Sequence, residues 1–380
     1  MKIGITCYPT YGGSGVLATE LGKLLAKRGH EVHFITSALP YRLHVQFEER
    51  VFFHEVEMDK YPLLEYSPYD LALAAKMREI FLSEKLDLLH VHYALPHAIS
   101  AFLAAKMIEP AIMPVVTTLH GTDITIVGQK KSFYDITRLG INQSTIVTAV
   151  SEYLTKEAED IFIPEKPIRT IHNFVDLQLF KKKKKSSRRC SFATENQIVY
   201  THISNFRKVK RIPDVVKIFS RIVQDVDGIL LMVGEGPLLS DARQLVESLG
   251  ISDKVKFLGK QEDVVSIFSM SDIFLFPSET ESFGLAALEA MACEVPVIAS
   301  RSGGIPEVVN CGETGFLSET GDVTAMAING IKLGKNSDLR LKMGKAGRKR
   351  AKQYFGPDKI IPLYEKVYQE AVELAHNCNQ

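Results

Sequence analysis

An α/β fold of two doubly wound domains facing across a cleft is what this 380-residue chain predicts, and three observations carry the prediction. Short apolar runs alternate with longer amphipathic stretches, the pattern of parallel strands joined by crossover helices. The runs fall into two series separated by a polar break. Each series opens on a strand followed at once by a turn that can hold a ligand, glycine-rich in the first series and basic in the second.

In the first series the expected strands are KIGITC (2–7), EVHFITS (31–37), VFFHEVE (51–57), LDLLHVH (86–92), PVVTTLH (114–120), TIVTAVS (145–151) and IRTIHN (168–173). The second series gives QIVYTHIS (197–204), GILLMVG (228–234), KVKFLG (254–259), DIFLFP (272–277) and VPVIAS (295–300). Between them KKKKKSSRRCSFATEN (181–196) reads as a surface connector, because adjacent lysines cannot share one helix face. The expected boundaries are therefore 1–173, a connector at 174–196, a second domain at 197–360, and a terminal helix at 361–380 that is a candidate to cross back to the first domain.

Composition excludes several classes. With 46% hydrophobic and 24% charged residues the chain is an ordinary globular protein. A net charge of +1 supplies no whole-molecule attraction to nucleic acid or membrane. Cys7, Cys190, Cys293, Cys311 and Cys378 are scattered and odd in number, which fits reduced thiols and a cytoplasmic protein rather than a disulfide framework. The apolar run at the N-terminus is too short for a signal peptide, and no stretch reaches the roughly 18 apolar residues of a membrane span. The sequence leaves room for a homo-oligomer.

The chemistry concentrates in three places. Gly13-Ser14-Gly15 follows the first strand and opens an amphipathic helix, where backbone N–H groups and the helix N-terminus favour an anion. With Ala18 these glycines also fit a dinucleotide fingerprint, the mark of an NAD-dependent Rossmann enzyme. That fingerprint expects an acidic residue where the second strand ends, and here stand Thr36 and Ser37. SNFRKVKR (204–211) places Arg207, Lys208, Lys210 and Arg211 at the carboxyl end of a strand, a cluster suited to a diphosphate. Finally, ETESFGLAALEAMA (279–292) keeps Glu281 in a loop and Glu289 as the only charge between Ser282 and Cys293. An unpaired buried carboxylate costs several kcal/mol, so something polar must meet Glu289. The N–H groups of Ser282, Phe283, Gly284 and Leu285 would form the helix start, with Glu289 about 9 Å further along at ~1.5 Å per residue. A nucleotide sugar has hydroxyl-rich rings at both ends of a diphosphate and matches that spacing.

These residues carry a resemblance. Glu281-x7-Glu289 with GGIPEVV (303–309), HGTD (120–123) and the basic loop resembles the retaining glycosyltransferases of the GT-B fold, over nearly the whole chain. LHVHYALPHA, TTLHGTDIT, HNFVD and HISNFRKVKR are further similar to the branch of that family that opens bacillithiol biosynthesis. The resemblance implies a hexosyltransferase moving GlcNAc from UDP-GlcNAc to the hydroxyl of L-malate with retention, needing no metal and no cofactor beyond the donor. It implies catalytic roles for His120, Arg207, Lys210 and Glu281. His120 would lie near the sugar 6-hydroxyl, Arg207 and Lys210 on the diphosphate, Glu281 on the 3- and 4-hydroxyls and Glu289 on the ribose, with Gly15 and Gly259 also on the donor side. The family's usual arginine early in the basic loop is replaced by Asn205.

For the acceptor, Gly13, Ser14, Tyr93, Thr118 and Arg138 offer amide, hydroxyl and guanidinium donors and almost no acceptors, which suits a small dicarboxylate. Asn173 of HNFVD joins them through the resemblance. A phosphorylated polyol such as inositol phosphate is the alternative acceptor. His90, His92 and His97 share a short segment, but no carboxylate or cysteine nearby completes a metal set.

Overall fold

The computed structural model describes residues 1–9, 13–43, 49–58, 67–183 and 187–377. The middle of the opening turn (10–12), Lys184 and Lys185 of the lysine run, and Cys378 lie outside the described residues. Contacts gather the chain into two compact units, Met1–Asn173 with Asp358–Gln380, and Phe174–Pro357.

The first unit holds a parallel sheet of β1 (Lys2–Thr6), β2 (Glu31–Thr36), β3 (Val51–Glu55), β4 (Leu88–His92), β5 (Val115–Leu119), β6 (Ile146–Ala149) and β7 (Arg169–Thr170), in the order β3-β2-β1-β4-β5-β6-β7. The second holds β8 (Ile198–Ile203), β9 (Gly228–Val233), β10 (Val255–Gly259), β11 (Ile273–Phe276), β12 (Val297–Ser300) and β13 (Gly315–Ser318), in the order β10-β9-β8-β11-β12-β13. Both sheets thus reverse direction beside their first strand, between β1 and β4 and between β8 and β11. In open α/β sheets that reversal opens a crevice at the carboxyl ends of the strands.

The apolar runs became strands for the reason the pattern implies. β4, β5 and β6 are buried along their whole length, as strands covered on both faces must be, while the edge strand β3 is only partly buried. In the first unit, Leu73, Met77 and Ile80 of the helix Tyr69–Ser83 pack with Ile35, Leu89 and Val91 of the sheet. In the second, Val215, Ile218, Phe219 and Ile222 of the helix Ile212–Ile222 recur at helical spacing and meet Leu230, Met232, Leu275 and Ile298.

Each of the twelve expected segments contains a strand, trimmed at its ends; β13 is the strand that the sequence reading lacked. It has four residues, and it pairs Gly315 with Val297 so closely that a Cβ on Gly315 would stand 2.1 Å from the Val297 carbonyl oxygen. The helix Pro357–Asn377 buries Tyr364 and Tyr368, and Arg28 grips its Glu365 with two hydrogen bonds of 2.8 Å. Among the described residues no helix is long and apolar enough to cross a membrane.

Candidate active site

In the second unit the loop after β8 is built on two glycines. A Cβ on Gly234 (φ +122°) would fall 1.8 Å from the Ser204 carbonyl oxygen, and one on Gly236 (φ +157°) 2.7 Å from the Phe206 amide nitrogen. That close approach lets Phe206 N–H donate to Glu235 O at 2.8 Å and Leu238 N–H to Phe206 O at 3.0 Å. Beneath the loop, His202 of β8 is fully buried, and burial lowers its pKa to about 4. Its Nδ1–H donates to Leu275 O at 2.9 Å, which leaves Nε2 to accept from the Ser204 hydroxyl at 2.7 Å.

From this anchored base the cations emerge differently. Arg207 and Lys208 are exposed. Arg211 is turned into the protein at φ +50°, with Nε on Asp214 at 2.6 Å. Lys210 lies 2.5 Å from Glu281 Oε1, with its ammonium 5.8 Å from the Phe276 ring centre. Both side chains of that ion pair are largely shielded, at 18% and 13% exposure. The Glu281 loop is held in turn by Glu279 N–H on Val209 O at 2.7 Å and by Gly304 N–H on Glu281 O at 2.8 Å. A Cβ on Gly303 (φ +57°) would sit 2.0 Å from that same Glu281 oxygen, so GGIPEVV supports the carboxylate loop through its backbone.

One boundary needs correcting. Ser282 and Phe283 are not helical; Gly284 at φ +98° ends the loop and the helix runs Leu285–Ala292. Glu289, half-buried, therefore lies one turn in, about 6 Å from the helix start rather than about 9 Å. Phe283 points inward against Phe355, ring centres 5.6 Å apart, and Gly259 closes β10 at φ +63° with its carbonyl accepting from Gly234 N–H at 2.8 Å.

Among the described residues, the corresponding strand ends of the first unit carry no ion pair. Gly13, Ser14 and Gly15 open the helix Gly13–Lys27, and the Tyr93 hydroxyl donates to Ser14 Oγ at 2.6 Å. Tyr93 is held at φ +89°, costly for an aromatic residue, by its N–H on Thr118 O at 2.8 Å. Its ring lies 5.0 Å from that of His120 and 5.3 Å from that of Tyr8. Ser14, Tyr93 and His120 thus form one cluster.

Asp123 of HGTD locks the turn beneath them. Its buried carboxylate accepts from Ala94 N–H at 2.8 Å, Gly121 N–H at 3.0 Å and His120 N–H at 3.4 Å, and burial still raises its pKa to about 6. His90 is bonded to the Tyr368 hydroxyl at 2.8 Å and to Thr118 Oγ1 at 2.7 Å. His92 Nδ1 lies 2.8 Å from His120 Nε2.

Thr118 does not line a ligand site. It is fully buried, its hydroxyl shared between His90 and Thr148, because a strand inside a parallel sheet has no open face. Arg138 is exposed on the helix Tyr134–Gln143, and among the described residues no hydrogen bond or ion pair fixes it. Asn173 ends the first unit, 7% exposed, its Oδ1 buried without a partner among the described residues.

The described residues hold a group of metal-ligand type, Glu31, His33 and Glu84, at the opposite, amino end of the sheet. Lys2 already pairs with Glu31 at 2.8 Å and His54 with His33 at 2.9 Å. Asp123, His202 and the glycines of GEG (234–236) lay within or beside motifs that the sequence offered but were given no role of their own. Their signals were an aspartate three residues after a histidine, a histidine within an apolar strand, and two glycines directly after one.

Comparison with known proteins agrees with this layout. Residues 11–179 match Glycosyltransferase Family 4 and residues 183–350 match Glycosyl transferases group 1. The N-acetyl-alpha-D-glucosaminyl L-malate synthase of Bacillus anthracis is 50% identical, over 98% of this chain and 97% of that protein. The chain belongs to the GT-B glycosyltransferases. A D-inositol 3-phosphate glycosyltransferase of Saccharomonospora viridis is 25% identical over 95% of this glycosyltransferase and 90% of its own length. Among solved structures, Anabaena Alr3699/HepE in complex with UDP and glucose superposes with a TM-score of 0.82 at 20% identity, covering 97% and 99% of the two chains. That likeness shows the fold of this glycosyltransferase.

Proposed function

We propose that this glycosyltransferase moves GlcNAc from UDP-GlcNAc to the hydroxyl of L-malate with retention at the anomeric carbon. The observation that carries the reading is the 50% identity across 98% of the chain to the B. anthracis synthase. The second unit holds the donor. Lys210 and Arg207 take the diphosphate, the start of the helix Leu285–Ala292 adds its partial positive charge, Glu281 takes the sugar hydroxyls and Glu289 the ribose. The first unit holds the acceptor, with Ser14, the adjacent amides, Tyr93, Arg138 and Asn173 turned to its carboxylates.

The acceptor hydroxyl attacks the anomeric carbon on the face from which UDP departs. The new C–O bond forms as the C–O bond to phosphate breaks, and the hydroxyl proton passes to the leaving phosphate. Lys210 and Arg207 stabilise the charge that develops there, so no side-chain nucleophile and no metal is required. The reaction runs in the cytoplasm, the compartment that supplies nucleotide sugars.

The test is an assay of the purified protein with UDP-GlcNAc and L-malate, D-malate or inositol phosphate, reading UDP release, product mass and anomeric configuration, with and without EDTA. The expected outcome is an α-linked GlcNAc-malate, unaffected by EDTA. Transfer to inositol phosphate but not to L-malate would reassign the acceptor, and trapping of a glycosyl ester on Glu281 would replace the mechanism with double displacement.

A further inference from the structure

Strand alternation sends His90 and His92 to the same side of β4, with ring centres 4.4 Å apart, but to different partners. Both ring nitrogens of His90 are bonded, one to Tyr368 and one to Thr118. His92 is asymmetric. Its Nδ1 lies 2.8 Å from His120 Nε2, its carbonyl accepts from His97 Nδ1, and its Nε2 is buried without a hydrogen-bond partner among the described residues.

Burial keeps both rings neutral, lowering the His120 pKa to about 3 and that of His92 well below its ordinary value. One proton therefore occupies the line between Nδ1 and Nε2, and its position determines both tautomers. If His120 donated, His92 would carry its own proton on Nε2, leaving a buried N–H with nothing to receive it. If His92 donates, the unpartnered atom is only a lone pair. Orphaned buried N–H groups are the rarer of the two in folded proteins.

We propose that His92 is a positioning residue that donates from Nδ1 to His120 Nε2 and so holds His120 as the Nδ1–H tautomer, presenting a hydrogen-bond donor to a hydroxyl of the donor sugar. The identity of that ligand rests on the donor proposed above and on the resemblance that sets His120 near the sugar 6-hydroxyl; the tautomer does not. His92 and Thr118 are partners in register on β4 and β5, so the same sheet that orients Tyr93 also fixes the ring behind His120.

Nitrogen-15 NMR of the histidine-labelled wild-type protein tests the tautomer directly. His120 is expected with a protonated Nδ1 and a bare Nε2, and the reverse pattern overturns the proposal. Two variants test its consequence. In His92→Asn the amide occupies the place of Nδ1 and still donates; His92→Leu donates nothing. The leucine variant is expected to lower kcat about tenfold for one lost hydrogen bond, with UDP affinity and malate KM within about twofold, and asparagine to recover most of that loss. An unchanged kcat in His92→Leu, or asparagine no better than leucine when both fold as the wild type does, would overturn the proposal. Where neither variant folds, the wild-type spectrum decides. A wild-type protein with His120 protonated on Nδ1 but no transfer to L-malate would support tautomer control and fault the acceptor assignment instead.

Discussion

The two units carry the same strand order around their reversal points and opposite chemistry at them. At the ends of β8 and β11 stand Arg207, Lys208 and the Lys210–Glu281 ion pair. At the ends of β1 and β4 stand hydroxyls, amides and histidines that burial keeps neutral. The fold supplies the crevice in both places, and the loops supply the charge. A diphosphate leaving group needs cations that strengthen their hold as its charge develops, whereas a small stable acceptor needs only to be oriented.

The largest expected effect is at the charged end. Lys210→Ala should lower kcat about 10²–10³-fold, the scale for losing one group that stabilises developing charge. A loss confined to donor KM would show that Lys210 binds but does not act on the leaving group. Next comes the division between the carboxylates. Glu289→Ala should weaken UDP about 10–100-fold by calorimetry, the scale of one charge-assisted contact. Glu281→Gln should lower turnover while leaving UDP affinity at least as high, since it releases Lys210 from its partner. Equal weakening of UDP in both variants would erase the distinction.

In the first unit, Arg138→Ala should raise the apparent KM for L-malate about tenfold and leave that for UDP-GlcNAc unchanged. An unchanged malate dependence would remove Arg138 from the acceptor site.

The smallest effect lies outside both ends. Hydrogen bonding from Arg28, ahead of that from His30, holds the Glu365 carboxyl below its ordinary pKa. A depressed carboxylate stabilises the fold above its unfolded pKa, and that contribution disappears as pH falls through the folded value. Glu365→Gln should thus lower Tm slightly at pH 7, and the gap to wild type should close below about pH 4, as thermal scans across pH would show. A gap that persists in acid would trace the loss to packing.

What was legible in the sequence follows physical lines. Apolar runs and turn chemistry are local, so twelve strands and the residues at their ends could be found before the structure. β13 could not, because what permits it is a missing Cβ on Gly315 set against the backbone of β12, a close approach that no local pattern announces. Lys210 and Glu281 were each legible as charges, but not as an ion pair, since 70 residues of fold intervene. Thr118 was misjudged because alternation tells which side a residue takes and not whether that side is open. The start of the helix Leu285–Ala292 was placed early because Ser-Phe-Gly resembles a helix entrance, and only the left-handed backbone of Gly284 reveals it as the end of a loop.

The first unit is closed by residues that follow the second in the chain, and this bears on how the protein is born. Residues 174–357 form a continuous stretch whose core is complete once they have left the ribosome. The earlier-made first unit must wait. Until residues 358–377 emerge, His90 Nδ1 lacks the Tyr368 hydroxyl, Arg28 lacks Glu365, and Arg169 lacks Glu370. Contacts that complete the first unit are thus made by residues synthesised after the whole of the second, against the usual N-to-C order of domain maturation, and His90 is the buried histidine that depends on them.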